Sequence, residues 1–496
     1  MSLWVNANDI DLNIKCKLGK AVLLGAYIVI STFLFANFAT EIEVWASFFV
    51  SNLVLFTLLW WHLYKEKEYS PFISVYIVFN FLFFIIAPIL QLRVIGNKNA
   101  DFITNLPYTP RGIIYANVLV VIFTTFFFGT YTLLKKTRKT RVVKHNIESD
   151  KRLPLVLIGL LGISLFVFIA SYDFVISEIS RAGQTSFSVG TTALLLWKKL
   201  LFVVPLGGII LSVQYYKNAK SSSKNLLAIA LVLMIFVMLL LWFKNPLVEK
   251  RNALGPIYIS IIYLFIPGIF NSNVKTMFFM FFTMIIVFPL SAIITHVRSS
   301  LREIFIQPRL LLDEFEGEGI GEVFNTLHYD AFINIVATID YVKYEGFSYG
   351  YQLLSAFLFF VPRKIWPDKP TTTGQLVGEH LIDSYGFNFS NLSNPMVSEG
   401  YINFGVMGVI LLAIALAYTL VYLLTWLQSS ILLKKMMAFY FAIHLVFFLR
   451  GDFANGFSYY VGTLVGVMGI AKILDYFIKQ GIINQQKWKQ SHIKKA

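Results

Sequence analysis

The chain has 496 residues, of which 57% are hydrophobic and 17% aromatic, with only 14% charged. That balance excludes an ordinary soluble protein of this length and points to a polytopic membrane protein. The formal net charge of +15 comes without a DNA-binding motif, Walker loop, HExxH or zinc-type Cys/His spacing, and the single cysteine, Cys16, supplies neither a disulfide nor a thiolate metal site.

A hydrocarbon core about 30 Å thick takes roughly 20 apolar residues per helix. Apolar runs lie at 20–40, 44–64, 71–93, 112–134, 154–176, 199–216, 225–243, 254–270, 276–295, 401–427, 437–449 and 457–477, the penultimate one being short. The expected fold is therefore all-α and integral to the membrane, with about 12 transmembrane helices and one large external loop of short helices. Residues 1–295 carry helices one to nine after a cytoplasmic N-terminus, 296–400 form the external loop, and 401–496 carry helices ten to twelve with a basic cytoplasmic tail. The first run is full length and lacks a convincing cleavage site, so it is expected to be a retained helix. With both termini inside, the cytoplasmic segments hold 24 of the 42 Lys and Arg, including "KKTRKTRVVK" and the tail "QKWKQSHIKKA". This satisfies the positive-inside rule, so the net charge reports topology and calls for no nucleic-acid partner.

The segment 296–400 is too long for a passive connector. It carries 13 acidic and seven basic residues. Within it, "GEVFNTLHYDAFINIVATIDYV" (321–342) places Val323, Leu327, Ala331, Ile335 and Ile339 at four-residue intervals, the pattern of an amphipathic helix. The run "YQLLSAFLFFV" (351–361) is about half a span and is expected at the interface or as a re-entrant helix. It ends in "VPRKIWPDKPTTTG" (361–374). There Pro362, Pro367 and Pro370 stop the helix and restrict the backbone, holding Arg363 and Lys364 ready for an anion at reduced entropic cost.

Three stretches, "PRKIWPDKP", "NPMVSEGYINFGVMG" at the start of the next span and "FLRGDFANG" near the end, together with the late external loop, resemble the Wzy-type O-antigen polymerases. These form a superfamily with the O-antigen ligases and the cell-wall polymerases of the shape/elongation class. Arg363, ten residues and Gly374 match the arginine-x10-glycine pattern of some members. In the preceding external loop Arg181 is followed by Gly190, two positions short of that spacing. The resemblance implies a glycosyltransferase of the bacterial inner membrane that works on its external face. It would join oligosaccharide repeat units carried on undecaprenyl diphosphate, for an O-antigen or another surface polysaccharide. It further implies no nucleotide sugar, no metal or other cofactor, and a chain-length-regulating co-polymerase as partner.

Such chemistry needs fixed cations where the diphosphate departs and a general base for the attacking hydroxyl. Arginine suits the first role through its planar, permanently charged fork. Arg363 leads, with Lys364 beside it; the alternative is an interfacial anchor on lipid phosphate. Arg251 in "VEKRNALG", Arg450 in "FFLRGDF", and Arg298 and Arg302 just beyond the ninth span are further candidates for binding diphosphate or sugar. For Arg450 the alternative is a structural pair with Asp452, and for Arg298 and Arg302 ordinary flanking charge. Glu399 and His328 are the candidate bases. For Glu399 the alternative is a cap on its helix, and for His328, on the apolar face of the 321–342 helix, a core residue. Asp330 and Asp368 are substitutes, and Tyr401, Trp366 and Tyr385 could stack on sugar rings. A ligase of the same superfamily and a flippase or transporter remain alternatives; sparse mid-span charge speaks against the transporter.

Overall fold

The computed structural model describes residues 7–95, 107–138, 152–179, 196–218, 223–246, 249, 251–287, 324, 327–390 and 392–493. All regular structure among them is helical. In the first half the helices are α1 (Ala7–Ala36), α2 (Ile42–Tyr64), α3 (Pro71–Asn80), α4 (Ala87–Ile95), α5 (Pro110–Thr137), α6 (Leu153–Ile179), α7 (Val204–Asn218), α8 (Ser223–Phe243), α9 (Arg251–Phe265) and α10 (Asn273–Phe282). The second half adds α11 (Ala331–Glu345), α12 (Tyr351–Phe357), α13 (Thr373–Tyr385), α14 (Met396–Leu427), α15 (Leu432–Arg450), α16 (Phe453–Leu464) and α17 (Ile470–Ile493). π-helical turns at Phe81–Ile86, Trp197–Leu201 and Val465–Gly469 join α3 to α4, lead into α7, and join α16 to α17.

Among the described residues, each of the twelve apolar runs is helical over most of its described length. Among the described residues nine helices are long and apolar enough to cross a membrane, and Leu227–Phe243, Ala253–Phe265 and Asn273–Val287 are shorter apolar helices. The span 71–92 is apolar on all sides and 94% buried, which puts it at the centre of the bundle, whereas 17–36 is only 17% buried and lies at the edge. Outward-facing Phe33, Phe166, Ile169, Leu227 and Met238 are each more than 60% exposed. So much apolar surface is stable only against lipid, and the chain is a multi-pass helical membrane protein.

Two expectations for the loop change. The helix expected over 321–342 begins only at Ala331 and runs to Glu345. Before it, the carbonyls of Phe324 and Tyr329 accept hydrogen bonds from buried Gln91 at 2.7 and 3.2 Å, so they are satisfied from outside rather than by helical turns. His328 consequently sits in the 3-10 turn Leu327–Tyr329, not on a helix face. The apolar run 351–361 is helical over seven residues only, α12, and then turns.

α14 is broken. Phe404 and Gly405 leave helical geometry, with φ +60° at Gly405, a value suited to glycine. The first segment, 396–403, folds back against the rest so closely that a Cβ on Gly408 would lie 2.0 Å from the Gly400 carbonyl. The Ile402 carbonyl, beside the break, accepts from Ser348 N–H, and the Asn403 side chain donates back to Glu399 O. The fold thereby sets Glu399 on a short half-helix ahead of the apolar span.

Candidate functional site

The first turns of α13, α14 and α16 converge on two buried carboxylates. Glu399 and Asp452 are 2% and 4% exposed. Glu399 Oε1 accepts from the Phe453 backbone N–H at 2.8 Å, at the start of α16. Asp452 Oδ1 accepts from the Gly374 backbone N–H at 2.7 Å, in the first turn of α13. Helix N-termini carry partial positive charge and unpaired N–H groups, which offsets part of the cost of burying these acids. Gly374 is required for this approach: a Cβ there would lie 2.0 Å from the Leu392 carbonyl and 2.6 Å from Asp452 Oδ1.

Thr373 couples the two acids. Its Oγ1 lies 2.6 Å from Glu399 Oε1 and 3.2 Å from Asp452 Oδ1. A hydroxyl has a single proton to donate, so both contacts are satisfied together when one carboxyl is protonated and donates to the threonine oxygen. Burial pushes the Asp452 carboxyl above the ordinary range, against the pull of the Gly374 N–H and the neighbouring threonine hydroxyls. The unit is thus a pair of buried acids bridged by one hydroxyl, an arrangement in which protonation of one member leaves the other to accept a proton.

A cavity of about 340 Å³ opens beside this pair. Lys199, Arg363 and Lys369 give it positive charge, and Thr371, Thr372, Gln375, Asn455 and Ser458 give it hydrogen-bonding groups, while Leu196, Phe359 and Phe360 form an apolar wall. A smaller space of about 20 Å³ shares Ser355, Thr371, Thr372 and Ala454 with it and reaches Glu399.

The three cations do different work. Lys369 Nζ donates to the carbonyls of Leu358, Phe359 and Val361 at 3.0, 2.9 and 3.1 Å, which uses all three of its protons and closes the turn after α12. Burial, and then the neighbouring Arg363, hold its pKa below the usual lysine value. Arg363 is exposed, and one guanidinium nitrogen donates to the Lys369 carbonyl at 2.6 Å. The proline-bounded loop thus orients the fork while leaving most of its five donors for a ligand. Lys199, on the π turn before α7, is buried, donates to Ser458 Oγ at 2.6 Å and lies 4.5 Å from the Tyr459 ring centroid.

Of the residues picked out from sequence, the structure brings Arg363 and Glu399 to one place. Lys364 is exposed on the same loop but does not line the cavity. Arg450 pairs with Asp330 at 3.2 Å rather than with Asp452, which is already occupied by the start of α13. Burial raises the Asp330 pKa, and Arg450 pulls it back. Tyr401 is buried with its ring edge-on to Tyr115 and Phe347, away from the cavity lining. His328 is half-buried in its turn and outside that lining. Arg251 heads α9. Arg298, Arg302 and Arg181 lie outside the described residues.

Sequence reasoning missed Asp452 as a site group, together with Thr373, Lys199 and Ser458. The threonine run before Gly374 was a visible signal. Lys199 stands at the start of the 199–216 apolar run, and nothing local ties it to Ser458, 259 residues away.

A second polar cluster lies at the other end of α5. Buried Glu66 is hydrogen-bonded or ion-paired to His62, Tyr131 and Lys135, and His62 Nε2 is 2.8 Å from Ser74 Oγ. These contacts tie α2, α3 and α5 together. The rise from Tyr115, beside Tyr401, to Tyr131 is about 24 Å, close to a hydrocarbon thickness. Comparison of the chain with family models, curated proteins and solved structures gives no match.

Proposed function

We propose that this protein is a membrane glycosyltransferase that polymerises oligosaccharide repeat units carried on undecaprenyl diphosphate. The proposal sets twelve spans, both termini in the cytoplasm, and residues 296–400 on the external face of the bacterial cytoplasmic membrane. The observation that carries it is the Thr373-bridged pair of buried acids, Glu399 and Asp452, beside a cavity lined by both cations and apolar side chains. An amphiphilic lipid diphosphate matches such a cavity, with its charge toward Arg363 and Lys199 and its chain toward Leu196, Phe359 and Phe360.

In the proposed reaction, a hydroxyl of the incoming unit attacks the anomeric carbon of the growing chain. A new C–O bond forms, the bond to the lipid diphosphate breaks, and its electron pair leaves on the phosphate oxygen. The ionised member of the carboxylate pair takes the hydroxyl proton, and Thr373 keeps the pair in register. Arg363 and Lys199 meet the charge that grows on the departing diphosphate, where a partly dry site makes fixed cations most effective.

The break at Phe404–Gly405 is the observation that favours a transporter of the same lipids, because interrupted spans line many transport sites. Purified protein incubated with a lipid-diphosphate oligosaccharide separates the readings on a gel. A ladder of products supports the polymerase. Transfer of an intact glycan to a second acceptor means a ligase, and movement across a vesicle without new bonds means a transporter.

A further inference from the structure

The face between α11 and α13 carries a cluster that the chemistry above leaves unused. His380 Nε2 lies 3.0 Å from Asp340 Oδ2, and the Tyr385 hydroxyl donates to the same oxygen at 2.8 Å. Asp340 Oδ1 makes no hydrogen bond among the described residues. The Tyr344 ring, 64% exposed, stands 5.7 Å from the His380 ring, and Tyr341 flanks the same imidazole at 5.7 Å. Apolar side chains would join these two helices at lower cost than a half-buried acid, imidazole and phenol, so packing alone does not account for the group.

We propose that this cluster is a carbohydrate subsite, with Tyr344 as the platform for a sugar ring and Asp340 as the acceptor for its hydroxyls. A pyranose has an apolar C–H face and a rim of hydroxyl donors. An exposed phenol ring meets the first, and a carboxylate oxygen without a partner, held still by His380 and Tyr385, meets the second. The exposed ammonium of Lys343 lies 5.5 Å from the Tyr344 centroid, a weak solvent-screened contact that a sugar face displaces. Exposed tyrosines also anchor proteins at lipid headgroups, but here the surroundings include the acidic groups Asp340, Glu345 and Glu379. That much negative charge repels lipid phosphate and suits a neutral or amino-bearing sugar.

The subsite and the cavity draw on the same helix, α13. Gln375 lines the cavity and donates to Glu379 at 2.8 Å, one turn along α13 and next to His380. From Gly374 to His380 the helix rises about 9 Å, a reach of the order of a disaccharide. Resting on the proposed function, the subsite would hold the oligosaccharide of a lipid-linked unit a short way beyond its reacting sugar.

The test uses the full-length protein in nanodiscs and a lipid-free oligosaccharide released by mild acid from the host's own surface polysaccharide. Saturation-transfer NMR should show contact with the sugar C–H protons in the wild type. Tyr344→Ala and Asp340→Asn should each weaken binding by about tenfold, and Tyr344→Phe should keep it. Absence of transfer in the wild type, or wild-type binding in both weakened variants, overturns the subsite. The probe carries no diphosphate, so sugar binding without any product ladder from the lipid-linked donor sinks the polymerase alone. A ladder unaffected by either substitution, together with unchanged binding, sinks the subsite alone.

Discussion

The backbone N–H of Gly374 donates to Oδ1 of Asp452 at 2.7 Å, joining parts of the chain 78 residues apart. Through that bond the proline-bounded loop that carries Arg363 is fixed against the two buried acids.

Gly374→Ala should disrupt this junction. Its methyl group would meet the Leu392 carbonyl at 2.0 Å, and backbone cannot yield as a flexible side chain can. The expected cost is at the upper end of about 1–3 kcal/mol for overpacking. It should appear as a lower thermal midpoint in detergent together with loss of chain extension. A midpoint equal to wild type would show that α13 does not rest on the Leu392 backbone.

Glu399→Gln and Asp452→Asn should each lower the rate of chain extension by about 10²–10⁴-fold, the usual worth of a general base. The pH dependence has two opposite signs. Rate should fall as pH falls far enough to put a second proton on the pair, because no ionised member then remains to act as base. Stability should fall as pH rises through the window above the ordinary Asp value, because the folded state holds a proton there that the unfolded state has released. Asp452→Asn should flatten the stability slope, as read from thermal midpoints across pH. A slope unchanged by the substitution removes Asp452 as its source.

Arg363→Ala should abolish long polymer while leaving single repeat units on the acceptor. Its side chain is exposed, so the thermal midpoint should stay near wild type. Arg363→Lys should rescue only part of the activity, because an ammonium cannot grip phosphate oxygens in a fork. Long chains made by the alanine variant at normal expression would exclude Arg363 from the site.

The Glu66 cluster should govern acid stability. Burial pushes this carboxyl up, but His62 and Lys135 outweigh burial and hold it below the usual glutamate value of 4.5. Its contribution is therefore present above about pH 4.5 and lost as pH falls through the depressed folded value. Glu66→Gln should remove that acid-side slope. Lys135→Met should destabilise by about 3–5 kcal/mol, since it strips a buried carboxylate of a partner. Unfolding curves of both variants between pH 3 and 8 check the two signs together.

The candidate site was half legible in the sequence. Arg363 and Glu399 stand in stretches whose prolines, glycines and isolated charges break an apolar background, so local composition marked them. His328 was misplaced because a four-residue repeat was extended over 321–330, where Gln91 takes the carbonyls that a helix would have used. Arg450 was weighed against its sequence neighbour Asp452, yet its partner is Asp330, 120 residues away.

Sequence alone determined the helical, membrane-embedded class and where the apolar helices of the described residues lie, since hydrophobic length is a local property that the bilayer reads directly. Tertiary structure alone decided that Thr373 stands between Glu399 and Asp452, that Lys199 reaches Ser458, and that Asp340 meets His380. Those meetings depend on how helices pack and where α14 breaks, and side-chain spacing along the chain carries no record of either.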